Sequence, residues 1–183
     1  MYFNECMTGF EYEVAWNMIA EGMVREGLAV TRAIHDRYHP LRRNPWNEVE
    51  CGDHYARAMA SYGVFLAACG YEYHGPKGHL GFAPRMNQED FRAAFTIAEG
   101  WGTFSQKRVG STQTNAIEIR WGKVKLSSLS FEAPFPINPA KSKAVHNGKS
   151  LRIAVKNEGN RIEVQLPSEL MMHEGDKLVL SFV

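Results

Sequence analysis

Residues 115–132 read "NAIEIRWGKVKLSSLSFE". Apolar and polar side chains alternate through Ile117, Ile119, Val124 and Leu126, the period-2 signature of a strand with one buried face. The same alternation returns in "KSLRIAVKNEGNRIEVQLP" (149–167), and "DKLVLSFV" (176–183) reads as one more strand. "EGN" at 158–160 and "EGD" at 174–176 supply the turns between them. Strands recurring at such short spacing predict an antiparallel β region, a small sandwich, with no internal repeat of the solenoid kind.

Upstream the period changes. "TGFEYEVAWNMIAEGMVREGLAVTRAI" (8–34) has no proline and carries apolar residues at helical spacing. Thr8 stands as a candidate N-cap, with Glu11 completing a capping-box pattern. Apolar residues cover more than one stripe of this run, which predicts burial on several sides. "YHPLRRNPWN" (38–47) ends the helical run with two prolines, and a second helix is expected over about 53–69, stopped by Gly70. Its Ala, Ser and Gly content permits close helix–helix approach. Two long helices joined this way predict an αα-hairpin. A glycine- and aromatic-rich loop (70–87) and a short helix over about 88–99, capped by Asn87, complete the first half, with the α-to-β boundary near 84–104.

Composition narrows the function classes. The 183 residues are 44% apolar and 22% charged, as in an ordinary globular protein. Lys and Arg number 21 against 20 Asp and Glu, so no global field favours nucleic acid or an anionic membrane. No apolar run is long enough to span a bilayer as a helix. Cys6, Cys51 and Cys69 are odd in number and widely spaced, which argues for reduced thiols over a disulfide framework.

The densest chemistry lies in "NPWNEVECGDHYARAMASYG" (44–63). On a helix, Glu50, His54, Arg57 and Ser61 share one face. That stripe is either a solvated face at the positive end of the helix dipole or the wall of a pocket. Carboxylates and a guanidinium suit sugar hydroxyls, because acceptor-only and donor-only groups pair with alternate lone pairs and protons. Glu50, Asp53 and His54, or His35 and His39, contain metal-ligating types without the spacing of a recognised cage. Cys51 as a nucleophile would need an activating base that the sequence does not identify. The glycines of "HGPKGHLGFAPR" (74–85) form no phosphate-binding motif, leaving either a cleft loop or an ordinary crossover. Trp101 and Phe104 are expected to pack into the junction of the two halves rather than to form a sugar-stacking platform.

Two of these stretches, "MTGFEYEVAWNMIAEGMVREGL" (7–28) and residues 44–63, resemble the end of the catalytic domain of glycoside hydrolase family 116, which includes β-glucosidases and non-lysosomal glucosylceramidases. Thr8, Gly9 and Tyr12 match its Thr-Gly-x-x-Tyr start, and Glu48, Cys51 and Arg57 match its Glu-x2-Cys-x5-Arg spacing. The resemblance covers residues 3 to about 70. "YHGPKGHLGFAPR" (73–85) and "AAFTIAEGWGTFSQ" (93–106) look like the bacterial branch with an added C-terminal β region.

The fold this implies is α+β: a helical hairpin from an (α/α)6-barrel glycosidase domain, then a small antiparallel β sandwich. Residues 1–100 would be the barrel end with its cleft loop, and 101–183 the β region. Glu48 and Arg57 inherit contacts to glucose hydroxyls away from the anomeric carbon. The family's two catalytic carboxylates map upstream of this sequence, so no catalytic residue, cofactor or metal is expected. Carbohydrate and the missing upstream part of the domain are the implied partners. Phe3 and Phe10, bulky and apolar so near the start, fit a chain that begins within a longer structure. A non-catalytic carbohydrate-binding or interaction module is the alternative.

Overall fold

The computed structural model describes residues 6–38, 41 and 58–183. The chain divides into two compact units, Met1–Gly70 and Tyr71–Val183.

The first unit contains three helices among the described residues: α1 (Thr8–Ala20), α2 (Val24–Arg37) and α3 (Ala58–Cys69). The run expected as one helix over 8–34 is broken by Gly22, whose φ of +87° only glycine adopts freely. The Gly22 amide donates to the Ile19 carbonyl, and the Met23 amide reaches back to the Met18 carbonyl. This paired bonding is the Schellman stop, and the chain resumes as α2 in a new direction. α1 then packs against both α2 and α3, with Ala15, Ile19 and Val64 in the shared core. Gly27 makes the first approach possible, since a Cβ there would lie 2.6 Å from the Ala15 carbonyl oxygen. Gly63 does the same for α3, facing the Trp16 ring at 3.0 Å. Met7, not Thr8, occupies the N-cap of α1 and makes no side-chain capping bond. Thr8 instead hydrogen-bonds the Tyr38 hydroxyl at 2.7 Å, and Glu11 pairs with Arg37, tying the start of α1 to the end of α2.

These helices correct the expected architecture. They form a three-helix arrangement with α1 in the middle, not the αα-hairpin of an (α/α)6 barrel, and about half of all described residues are strand. Burial of α1 on several sides is not seen either, since Phe10, Val14 and Trp16 are exposed. No helix among the described residues is long and apolar enough to cross a membrane.

The second unit is a sheet of ten strands that folds over on itself: β1 (Tyr71–His74), β2 (His79–Phe82), β3 (Asp90–Ile97), β4 (Gly100–Val109), β5 (Thr112–Glu132), β6 (Lys143–His146), β7 (Lys149–Leu151), β8 (Ala154–Glu158), β9 (Arg161–His173) and β10 (Lys177–Phe182). The 21-residue β5 belongs to both layers. Its first half pairs with β4 and β10, and its second half with β2 and β9. The pairing of β2 with β5 is parallel, so the sheet is mixed rather than purely antiparallel. The run 88–99, expected as a helix, is β3. Phe91 and Phe95 are both buried, and a spacing of four suits one face of a strand as well as one face of a helix.

A stack of phenylalanines joins the layers. Phe82 from β2 lies on Phe104 from β4 with ring centroids 4.0 Å apart and planes within 2°. Phe104 continues to Phe131, and Phe131 to Phe182. All four rings are fully buried. The layered assignment separates Phe104 from Trp101, three residues earlier on the same strand and 46% exposed. Phe104→Ala should cost about 3–5 kcal/mol and Trp101→Ala less than about 1 kcal/mol. Urea unfolding of the two variants followed by circular dichroism checks that contrast.

Candidate functional site

Glu48 and Arg57, the two residues expected to contact sugar, lie outside the described residues, as do Glu50, Cys51, Asp53, His54 and His39. His35 sits in the last turn of α2, and Cys6 and Cys69 are free thiols, the latter buried. Burial in an apolar setting pushes the Cys69 thiol up to about 11, which suits a packing residue rather than a nucleophile. No group of three or more His, Cys, Asp or Glu is placed to hold a metal among the described residues.

The glycine-rich run expected as a loop contains a β-hairpin, β1 and β2. A tight turn over Gly75–Lys77 closes on the Gly78 amide, and Gly78 itself sits at φ +60°. The Gly78 carbonyl accepts from the amides of both Ser127 and Ser128, docking the hairpin where β5 is bulged. On the outer face of this layer, Glu72 of β1 receives both terminal nitrogens of Arg161 of β9 at 2.7 Å. The pair reaches across β2 and β5, about 14 Å of sheet at ordinary strand spacing. It passes over Gly81 and Ser130, and a Cβ on Gly81 would strike the Ser130 hydroxyl at 2.1 Å. That hydroxyl donates to Glu72 at 3.1 Å. His79 joins the group through Nε2 to Glu72 at 3.3 Å and through Nδ1 to Ser128 at 2.8 Å. Every charge in this cluster has a partner, so it acts as a strap that fastens the hairpin to β9.

The outer face of the other layer differs. Alternation along β4 sends Gly102 and Phe104 inward and Trp101, Thr103 and Ser105 outward. A bulge skips Arg120 on β5, so that Trp101 pairs with Trp121 while Gly102 pairs with Ile119. Two directly opposed residues place their Cβ atoms about 5 Å apart on one face. Trp101 is 46% exposed and Trp121 59% exposed. Beside them runs a groove of about 310 Å³ lined by Arg92, Thr103, Ser105, Ala116, Glu118 and Lys177. Its floor is made of small side chains (Ala116, Ser105, Thr103), and its flanks are charged. Glu118 pairs with Arg120 at 3.0 Å, and the Arg120 Nε donates to the Thr103 hydroxyl at 3.1 Å. The expectation that Trp101 and Phe104 are both packed inside, at the junction of the two halves, therefore divides: Phe104 is in the core of the β unit, and Trp101 is on its surface.

No protein-family model matches the sequence, and no curated protein is similar to it. Two solved structures align with part of the chain at low similarity. One is an alpha-L-rhamnosidase from Dictyoglumus thermophilum, at 9% identity and a TM-score of 0.38, covering 72% of this chain and 14% of that one. The other is an alpha-L-rhamnosidase from Streptomyces avermitilis complexed with L-rhamnose, at 16% identity and a TM-score of 0.40, covering 79% of this chain and 13% of that one. The chain thus spans about one-seventh of the length of each.

The strap carries a pH dependence. Arg161's hydrogen bonds hold the Glu72 carboxyl at about 2, below its ordinary 4.5. A depressed carboxyl stabilises the fold above pH 4.5, and that contribution is lost as pH falls toward 2. Because both side chains are more than a third exposed, solvent screening limits its worth to about 1 kcal/mol. Glu72→Gln should lower the melting temperature at pH 7 and converge on the unsubstituted protein near pH 2, as read by thermal unfolding across that range.

Proposed function

We propose that this chain contacts carbohydrate through its β unit and is part of a retaining glycoside hydrolase. The observation that carries the reading is the Trp101–Trp121 pair beside the polar groove. An exposed indole offers a flat apolar surface to the C–H face of a sugar ring, and two such residues opposite one another on neighbouring strands enlarge that surface. Glu118, Arg120 and Thr103 lie one strand step away, about 7 Å, where donors and acceptors for ring hydroxyls would be needed.

The resemblance to glycoside hydrolase family 116 supplies the finer part of the proposal, a β-glucosidase-like enzyme. In that reading Glu48 and Arg57 hold glucose hydroxyls, and neither catalytic carboxylate is in this chain, so the 183 residues alone do not hydrolyse an aryl β-glucoside. The second reading, a carbohydrate-binding module without catalytic partners, is favoured by the same tryptophan pair, which would act without any other segment.

Calorimetric titration of the chain with cello-oligosaccharide should show binding that weakens about tenfold, or 1.4 kcal/mol, in Trp121→Ala and in Trp101→Ala. Binding unchanged in both variants would remove the β unit from the proposal. A Glu48→Gln or Arg57→Lys variant that loses affinity while the tryptophan variants do not would move the contact to the first unit.

A further inference from the structure

We propose that the groove on the Trp101–Trp121 face selects an acidic saccharide, a sugar chain carrying carboxylate or sulfate. The inference rests on the reading of that face as a carbohydrate surface and goes on to the class of sugar. Four charged side chains border the groove or reach over it. Glu118 is committed to Arg120. Arg92 and Lys177 line the groove from its two sides, on β3 and β10, and neither the guanidinium nor the ammonium is within ion-pair distance of a carboxylate among the described residues, although Glu118 stands opposite Lys177 across the strands. With Arg120 and Glu118 paired, Arg92 and Lys177 leave an excess of positive charge at a single trough in a chain whose overall charge is only +1.

Register fixes where they stand. Arg92 is level with Ser105 and Ala116, and Lys177 with Glu118 and Thr103. The cations are therefore separated by the width of β4 and β5, about 14 Å across the sheet, and by a two-residue stagger along it, about 16 Å at Cα in all, with small side chains between them. A short oligosaccharide lying across the two central strands would rest on that low floor. Its acidic substituents would meet a cation at either end, and the indoles would take an adjoining ring.

The guanidinium of Arg92 matches a carboxylate or sulfate in bidentate fashion, and the Lys177 ammonium supplies a point charge. A neutral glucan would leave both cations unmet.

The test is calorimetric titration of the whole 183-residue chain with four probes of similar length: oligogalacturonate, a sulfated dextran oligosaccharide, cello-oligosaccharide and a single-stranded oligonucleotide. The expected result is that at least one acidic saccharide binds about tenfold or more tighter than the neutral one, with an affinity that falls as salt rises. Which acidic probe binds tells carboxylate from sulfate. Arg92→Ala and Lys177→Ala should each erase the preference, Arg92→Lys should keep most of it, and Trp121→Ala should weaken acidic and neutral ligands alike. Equal affinity for acidic and neutral saccharides, indifferent to Arg92 and Lys177, overturns the acid preference and leaves the carbohydrate reading standing. Failure of every saccharide to bind, or tighter binding of the oligonucleotide, overturns both.

Discussion

One strand has to serve two layers, and the rest of the β unit follows from how β5 does it. At Gly122 the backbone takes φ +76°, and a Cβ there would sit 2.0 Å from the Glu99 carbonyl oxygen. No other residue type meets both conditions without displacing its neighbour. The first half of β5 presents Ile117 and Ile119 to the core from one layer, and the second half presents Leu129 and Phe131 from the other. The stacked rings of Phe82 and Phe104 fill the space between. The register shifts near Trp101 and near Ser128 re-aim side chains at the two places where the outer faces carry their distinctive groups.

Those two outer faces have opposite electrostatic characters. The Glu72–Arg161 cluster closes on itself: guanidinium, imidazole and hydroxyl all bond the one carboxylate, and those bonds pull the Glu72 carboxyl below its ordinary range. Such a network stiffens a sheet and has little left to offer a ligand. The Trp101–Trp121 face keeps both an apolar surface and charge in reserve.

Much of the β unit was legible in the sequence because its strands bury one face each, and a period of two leaves a clear trace at 115–132, 161–166 and 177–182. The turn at Gly159 and Gly175 was marked by composition. β3 was not legible, since Phe91 and Phe95 at a spacing of four fit either period and the intervening alanines favour a helix. The β1–β2 hairpin hid behind glycines that looked like a loop. The break at Gly22 was written in "AEGMV", a helix-stop residue passed over inside a long apolar run. At the site, alternation along β4 alone sends Trp101 to the side opposite Phe104. The cross-strand partner of Trp101, and hence the groove, depends on a bulge that skips Arg120, and no local pattern announces a register between strands about twenty residues apart. Glu48 and Arg57 came from resemblance and not from any periodicity.

The strap from Glu72 to Arg161 joins residues 89 apart in sequence. Its first partner lies on the opening strand of the β unit and its second near the start of β9. During synthesis β1 and β2 therefore wait, with their polar face unfastened, until the chain has been made through the whole of β3 to β8 and into β9. Contacts that close such long intervals form late and slow the search for the native arrangement. The same pair that fixes the hairpin in the finished sheet thus makes it among the last parts of the unit to be locked.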